Sequence, residues 1–170
     1  MSARAPVVGG LCGGVGTTTV ARALHARDLG RVGGADLLPD VVLTRDTVAG
    51  LAAAARVAPA AGAGAPVLAL HPGGTGPDGI DAAAAGAGWA AVVALPAVPG
   101  WARSADPWSD AAGVLAAPGP SAAVRRYAEA LGRIVAALTA SGRLDRPLTA
   151  VHTGGLRPVR GVRALSGPAR

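Results

Sequence analysis

The chain of 170 residues contains no Phe, Lys, Asn or Gln, and only one Tyr, one Cys and three Trp. Without Phe, nearly all buried area must come from Val, Leu and Ala, so the core is built of small side chains and gains only modest stability. The single Cys12 excludes an internal disulfide and offers no metal-ligand spacing, while His25, His71 and His152 are scattered. Because there is no Lys, all sixteen basic residues are Arg, and no lysine can reach a phosphate group from this chain or from a second copy. Strongly apolar runs are missing too. The richest, "AAAAGAGWAAVVALPAV" (82–98), consists mostly of Ala and Gly and is broken at Pro96, short of the roughly 20 apolar residues a membrane helix needs. "MSARAPVVGG" has one Arg and no apolar stretch of the kind a secretory leader carries. The expected compartment is cytoplasmic.

What is present is skewed as a GC-rich coding sequence would skew it. With 26 Gly, glycine pairs arise by chance, and only patterns that also use uncommon residues carry weight. The formal net charge of +6 is concentrated at the C-terminal end, where Arg143, Arg146, Arg157, Arg160, Arg163 and Arg170 face only Asp145. The expected organisation is therefore one α/β domain over 1–142 and a basic Arg-rich tail over 143–170. That tail could grip nucleic acid or an anionic membrane surface through its charge. It lacks interleaved aromatics and an apolar helical face, which favours a solvated tail or a docking segment for an acidic partner.

Strand-like and helix-like segments alternate, the pattern of a parallel sheet with flanking helices. Strands are predicted over 5–11, 40–46, 66–71 and 89–96, and helices over 18–28, 47–58 and 121–141, with Thr47 and Ser121 as N-caps. In the last helix Val124, Tyr127, Ala128, Leu131, Ile134, Val135 and Leu138 recur at helical spacing. A short helix over 80–87 and a strand over 148–152 are further expectations. Residues 31–36 read as a turn, and 58–66, 72–79 and 99–113 as irregular. "HPGGTGPDG" (71–79) reads as a plain connection and His71 as a strand-end residue.

The segment that outweighs the glycine bias is "LCGGVGTTTVARAL" (11–24). The protein has nine Thr, and three stand together here. Phosphate binding asks for a strand ending in a loop with inward amides, glycines that let the backbone approach, a following helix, and a hydroxyl for magnesium. Gly13, Gly14 and Gly16 meet the steric demand and Thr18 the hydroxyl. The competing reading is a glycine-rich strand-to-helix turn capped by Thr17 or Thr18.

"CGGVGTTTVARAL" resembles the deviant phosphate loop of the ParA/MinD family of P-loop ATPases, whose pattern is Lys-Gly-Gly-x-Gly-Lys-Thr-Thr. Position by position, Gly13, Gly14, Gly16, Thr18 and Thr19 match, while Cys12 falls on the family's signature lysine and Thr17 on its phosphate-loop lysine. Further matches over 40–57, 66–71, 90–107 and 121–141 are weaker. Between the first helix and "DVVLTRD" only about eleven residues remain, so the family's switch region looks deleted. A rival alignment makes Asp46 the magnesium carboxylate.

The resemblance implies a P-loop NTPase-like fold. ATP or ADP would be held weakly by Gly13, Gly14, Val15, Gly16, Thr17, Thr18 and Thr19, and Mg²⁺ by Thr18 and Asp46. Phosphoryl transfer rests on positioning and charge stabilisation, so with both lysines lost, efficient hydrolysis is not expected and no catalytic residue is assigned. The implied role, as in CpaE-like and Tad-pilus localisation branches, is a non-catalytic localisation or scaffold factor for a protein partner such as a secretion or pilus ATPase, with homodimer formation open. The alternatives are a slow Mg-ATPase of division or partition type and a nucleic-acid-binding module using the tail.

Overall fold

The computed structural model describes residues 4–32, 38–59, 64–73 and 87–148. Five strands, β1 (Val7–Gly10), β2 (Arg27–Arg31), β3 (Val41–Asp46), β4 (Val67–Pro72) and β5 (Ala91–Ala94), form one parallel sheet in the order β2-β1-β3-β4-β5. Among the described residues four helices accompany it, α1 (Thr17–Ala23), α2 (Val48–Val57), α3 (Pro107–Ala112) and α4 (Ala122–Ala140), with 3₁₀ turns at Trp101–Arg103 and Arg143–Asp145. The α/β class with a parallel, helix-flanked sheet is as expected. Among the described residues no helix is long and apolar enough to cross a membrane.

Side chains alternate across a strand, and the core divides accordingly. Val8, Leu43, Ala69 and Val93 face α1, α3 and α4, where Val20, Ala23, Ala111, Tyr127, Ala130, Leu131, Ile134 and Leu138 complete the main cluster. Val42, Leu68 and Leu70 face the other way, onto Leu51 and Ala54 of α2. Both clusters are almost wholly Val, Leu and Ala, as the missing Phe requires. On α4 the buried stripe is Tyr127, Ala130, Leu131, Ile134 and Leu138. Val135, expected on it, is 42% exposed, because the stripe runs through its neighbour Ile134.

Three expectations change. The first helix ends at Ala23 instead of Asp28, stopped by a Schellman turn: the Ala26 N–H bonds the Ala21 carbonyl at 2.8 Å and the His25 N–H bonds the Arg22 carbonyl at 3.2 Å. His25 takes the left-handed conformation (φ 49°) that usually marks a glycine. The chain then becomes β2, an edge strand beside β1 where only helix end and turn were predicted. Charged Arg27, Asp28 and Arg31 are exposed on that edge, which suits a strand with one side unpaired. Within 99–113, read as irregular, α3 forms at an Asp-Pro start, with Asp106 accepting from the Ser109 N–H at 3.1 Å and Pro107 in the first turn. Thr47 caps α2 as predicted, accepting from the Gly50 N–H at 3.1 Å, whereas Ser121 caps α4 without a side-chain bond. The predicted helix over 80–87 and strand over 148–152 fall almost entirely outside the described residues.

The third change concerns the expected boundary at 142/143. Asp40, at the start of β3, is fully buried and holds two arginines. Arg4 donates to both its carboxylate oxygens, at 2.5 and 2.8 Å, and Arg143 Nε donates to Oδ1 at 2.9 Å. Oδ2 also accepts the Val7 N–H at 2.9 Å. Arg143 further bonds the carbonyls of Gly64, Leu38 and Pro39, and Arg4 Nε bonds that of Arg146 at 2.7 Å. Residues 143–146, counted with the basic tail by charge alone, are thus tied into the body at the amino ends of the strands. The hydrogen bond to Asp40 raises the Arg4 pKa further above its ordinary value.

Candidate functional site

In an open parallel sheet, ligands bind outside the carboxyl ends of the strands where the strand order reverses. Here the reversal lies between β1, whose helix α1 leads outward to β2, and β3, whose helix α2 leads the other way to β4. The glycine loop 11–16 leaves β1 at that point. Val15 is buried and anchors the loop in the main core, while Gly13 and Gly14 are exposed. Gly14 and Gly16 both have positive φ, 68° and 79°, a conformation that glycine adopts without steric cost. Among the described residues no amide from Cys12 to Gly16 donates a hydrogen bond within the chain, whereas the Leu11 N–H just before them bonds the Leu43 carbonyl at 2.8 Å.

The threonines divide their roles. Thr17 packs its hydroxyl back over Gly10, so close that a Cβ there would lie 2.5 Å from it. Thr18 is exposed and donates to Asp28 Oδ2 on β2 at 2.7 Å. Thr19 lines a cavity with Gly16, His71, Pro96, Val98, Trp101 and Tyr127. This cavity, about 290 Å³, is near the lower size of small-molecule sites at about 300 Å³. Trp101 meets Tyr127 edge to face, with ring centroids 4.8 Å apart and planes at 77°. Burial pushes the Tyr127 phenol pKa well above its usual value. Cys12 is half-buried against the main core.

Thr18 and Asp46, proposed from the sequence as a magnesium pair, are not paired. The Thr18 hydroxyl is taken by Asp28, and strand alternation puts Asp46 with Val42 and Thr44 on the α2 face, with its Oδ1 buried and without a hydrogen-bond partner. Among the described residues no group of three or more His, Cys, Asp or Glu could hold a metal. In this structure the Thr18 hydroxyl is thus engaged by Asp28, and Asp46 keeps a buried oxygen without a hydrogen-bond partner. Asp28 was missed because it read as a helix end, and no local signal placed it beside Thr18.

One residue that sequence reasoning passed over also reaches the loop. Arg45, near the end of β3, donates from Nη2 to the Gly14 carbonyl at 3.2 Å. Its register partner on β4 is His71, whose ring lies about 3.6 Å from where a Gly16 Cβ would stand. Its hydrogen-bonding reach could not be read from "VVLTRD", since which face each residue takes depends on the sheet.

The fold and this site define a doubly wound α/β protein with a glycine loop at the switch point of its sheet. Beyond that class the comparisons add nothing: no family model, curated protein or solved structure matches the chain.

Proposed function

We propose that this protein is a degenerate, P-loop-like nucleotide-binding-fold factor. It holds ATP or ADP weakly, does not hydrolyse it efficiently, and serves to place a protein partner. The observation that carries the reading is the row of unpaired amides from Cys12 to Gly16 at the sheet's switch point, next to an aromatic-walled cavity. Backbone amides need no lysine to hold a phosphate, though they hold it less firmly. The resemblance of "CGGVGTTTVARAL" to ParA/MinD loops supports the nucleotide as ligand, and its localisation branches support the scaffold role and a secretion or pilus ATPase as the partner.

Hydrolysis is disfavoured by side-chain chemistry. Neither Cys12 nor Thr17 carries charge toward a leaving phosphate, and the Thr18 hydroxyl is bonded to Asp28. The slow Mg-ATPase using Thr18 and Asp46 would need Thr18 to exchange its bond to Asp28 for a metal. The nucleic-acid reading loses Arg143, which is spent on Asp40.

Calorimetric titration of the full chain with ATP and with ADP, each with and without magnesium, tests the reading. Binding in the high micromolar to millimolar range is expected, about −4 to −5.5 kcal/mol, with no phosphate release above background. Absence of binding at millimolar nucleotide sinks the nucleotide site. Phosphate release that needs magnesium and vanishes in Thr18→Ala sinks the non-catalytic part.

A further inference from the structure

Taking the nucleotide reading as its basis, we propose that Arg45 is the phosphate-charge residue of this site. It would replace from β3 the positive charge that Cys12 and Thr17 do not carry, so that the ligand is recognised as a free phosphate ester without a bridging metal.

Three observations on different elements converge. Leu43 and Ala69 face the main core, so Arg45 and His71, two residues further along, emerge on that same α1 face at the carboxyl ends of their strands. Parallel register sets the two side by side. Together they flank the glycine loop, Arg45 at Gly14 and His71 at Gly16, and His71 continues into the cavity wall with Trp101 and Tyr127.

The charge on Arg45 is uncommitted. Both ion pairs among the described residues are made by Asp40 at the opposite end of the strands. Of the five guanidinium N–H groups of Arg45, one meets the Gly14 carbonyl and none meets a carboxylate. A planar, always-charged fork matches phosphate oxygens in two-point contact. The side chain therefore keeps donors for an anion while its bond to Gly14 holds it over the loop. His71 Nδ1 lies 3.2 Å from the Pro72 carbonyl, which leaves Nε2 on the edge near Gly16. With the Thr18 hydroxyl bonded to Asp28, Arg45 is a cation of the chain itself that can offset phosphate charge at the loop.

The test is calorimetry of the full chain with ATP, with ADP and with inorganic pyrophosphate, in chelator and in magnesium. The wild-type protein is compared with Arg45→Gln and Arg45→Lys. Gln retains an N–H for the Gly14 carbonyl but removes the charge, so it separates holding the loop from holding the anion. Thermal melts of both variants check that each is folded. The expected result is wild-type binding in chelator, a roughly ten- to hundredfold loss in Arg45→Gln, as for a hydrogen bond to a charged group, and substantial recovery in Arg45→Lys. Pyrophosphate binding with the same Arg45 dependence assigns the contact to the phosphates and not to the base. Wild-type binding that is equal in Arg45→Gln, or that appears only with magnesium, overturns the role of Arg45 and leaves the nucleotide site standing. Absence of wild-type binding overturns both.

Discussion

The two ends of the sheet are built on opposite principles. At the amino ends of the strands, Asp40 is fully buried and receives Arg4, Arg143 and the Val7 N–H, while Arg143 also ties the carbonyls of Leu38, Pro39 and Gly64. Both carboxylate oxygens there are hydrogen-bonded. At the carboxyl ends, among the described residues, the loop amides 12–16 meet no acceptor, Arg45 meets no carboxylate, and Asp46 Oδ1 is buried without a hydrogen bond. A buried polar group left unpaired costs stability, so the closed end contributes to the fold, and the open end is where the proposed ligand would find partners. A core of small side chains makes this division sharper, because the clamp supplies cross-links that large aromatics would supply elsewhere.

The largest expected effect that would break this contrast is at the closed end. Asp40→Ala leaves two arginines facing one another without a carboxylate, and should cost about 3–5 kcal/mol, read as a shift of the urea midpoint. A loss below 1 kcal/mol would mean that solvent takes over the clamp. At the open end, Gly16→Ala places a Cβ at φ 79° and should cost about 1–2 kcal/mol by backbone strain alone, visible as a lower melting temperature. An unchanged melt would show that the loop relaxes freely.

Between these ends lies the cavity wall. Tyr127 is the single tyrosine, so tyrosinate absorbance reports it alone. Burial raises its folded pKa above the unfolded value near 10. Below that value its contribution to stability is complete, and it declines as pH climbs from about 10 toward the folded pKa, because the unfolded chain gives up its proton first. The expected titration shows no tyrosinate near pH 10 and then a rise together with unfolding. An ordinary titration near pH 10 in the folded protein would show the cavity open to water at the phenol. The smallest effect belongs to Gly13→Ala: nothing lies within 4 Å of its added Cβ, so stability should change by no more than about 0.5 kcal/mol. A larger loss would mean that the loop is packed as tightly as the clamp.

Legibility in the sequence followed the range of the interaction. The alternation of β3, α2 and β4 and the stripe on α4 depend on neighbours two to four residues apart, and both were readable. β2 was not, because His25 occupies a left-handed position without the glycine that signals one, and the edge strand has no continuous apolar run. α3 was within reach, since Asp106-Pro107 carries a cap and a first-turn proline that the surrounding Gly and Pro obscured.

By itself the sequence determined the α/β class, the small-residue core, the glycine loop and the absence of lysine from any phosphate contact, because each follows from residue identity and short spacing. Only the tertiary structure decided which charges meet. Asp40 lies 103 positions from Arg143, Arg45 lies 31 from Gly14, and Asp46 turns to the α2 face while its neighbour turns to the loop. Those pairings are set by strand order, register and the two-residue alternation of the sheet, quantities that exist only once the strands have assembled.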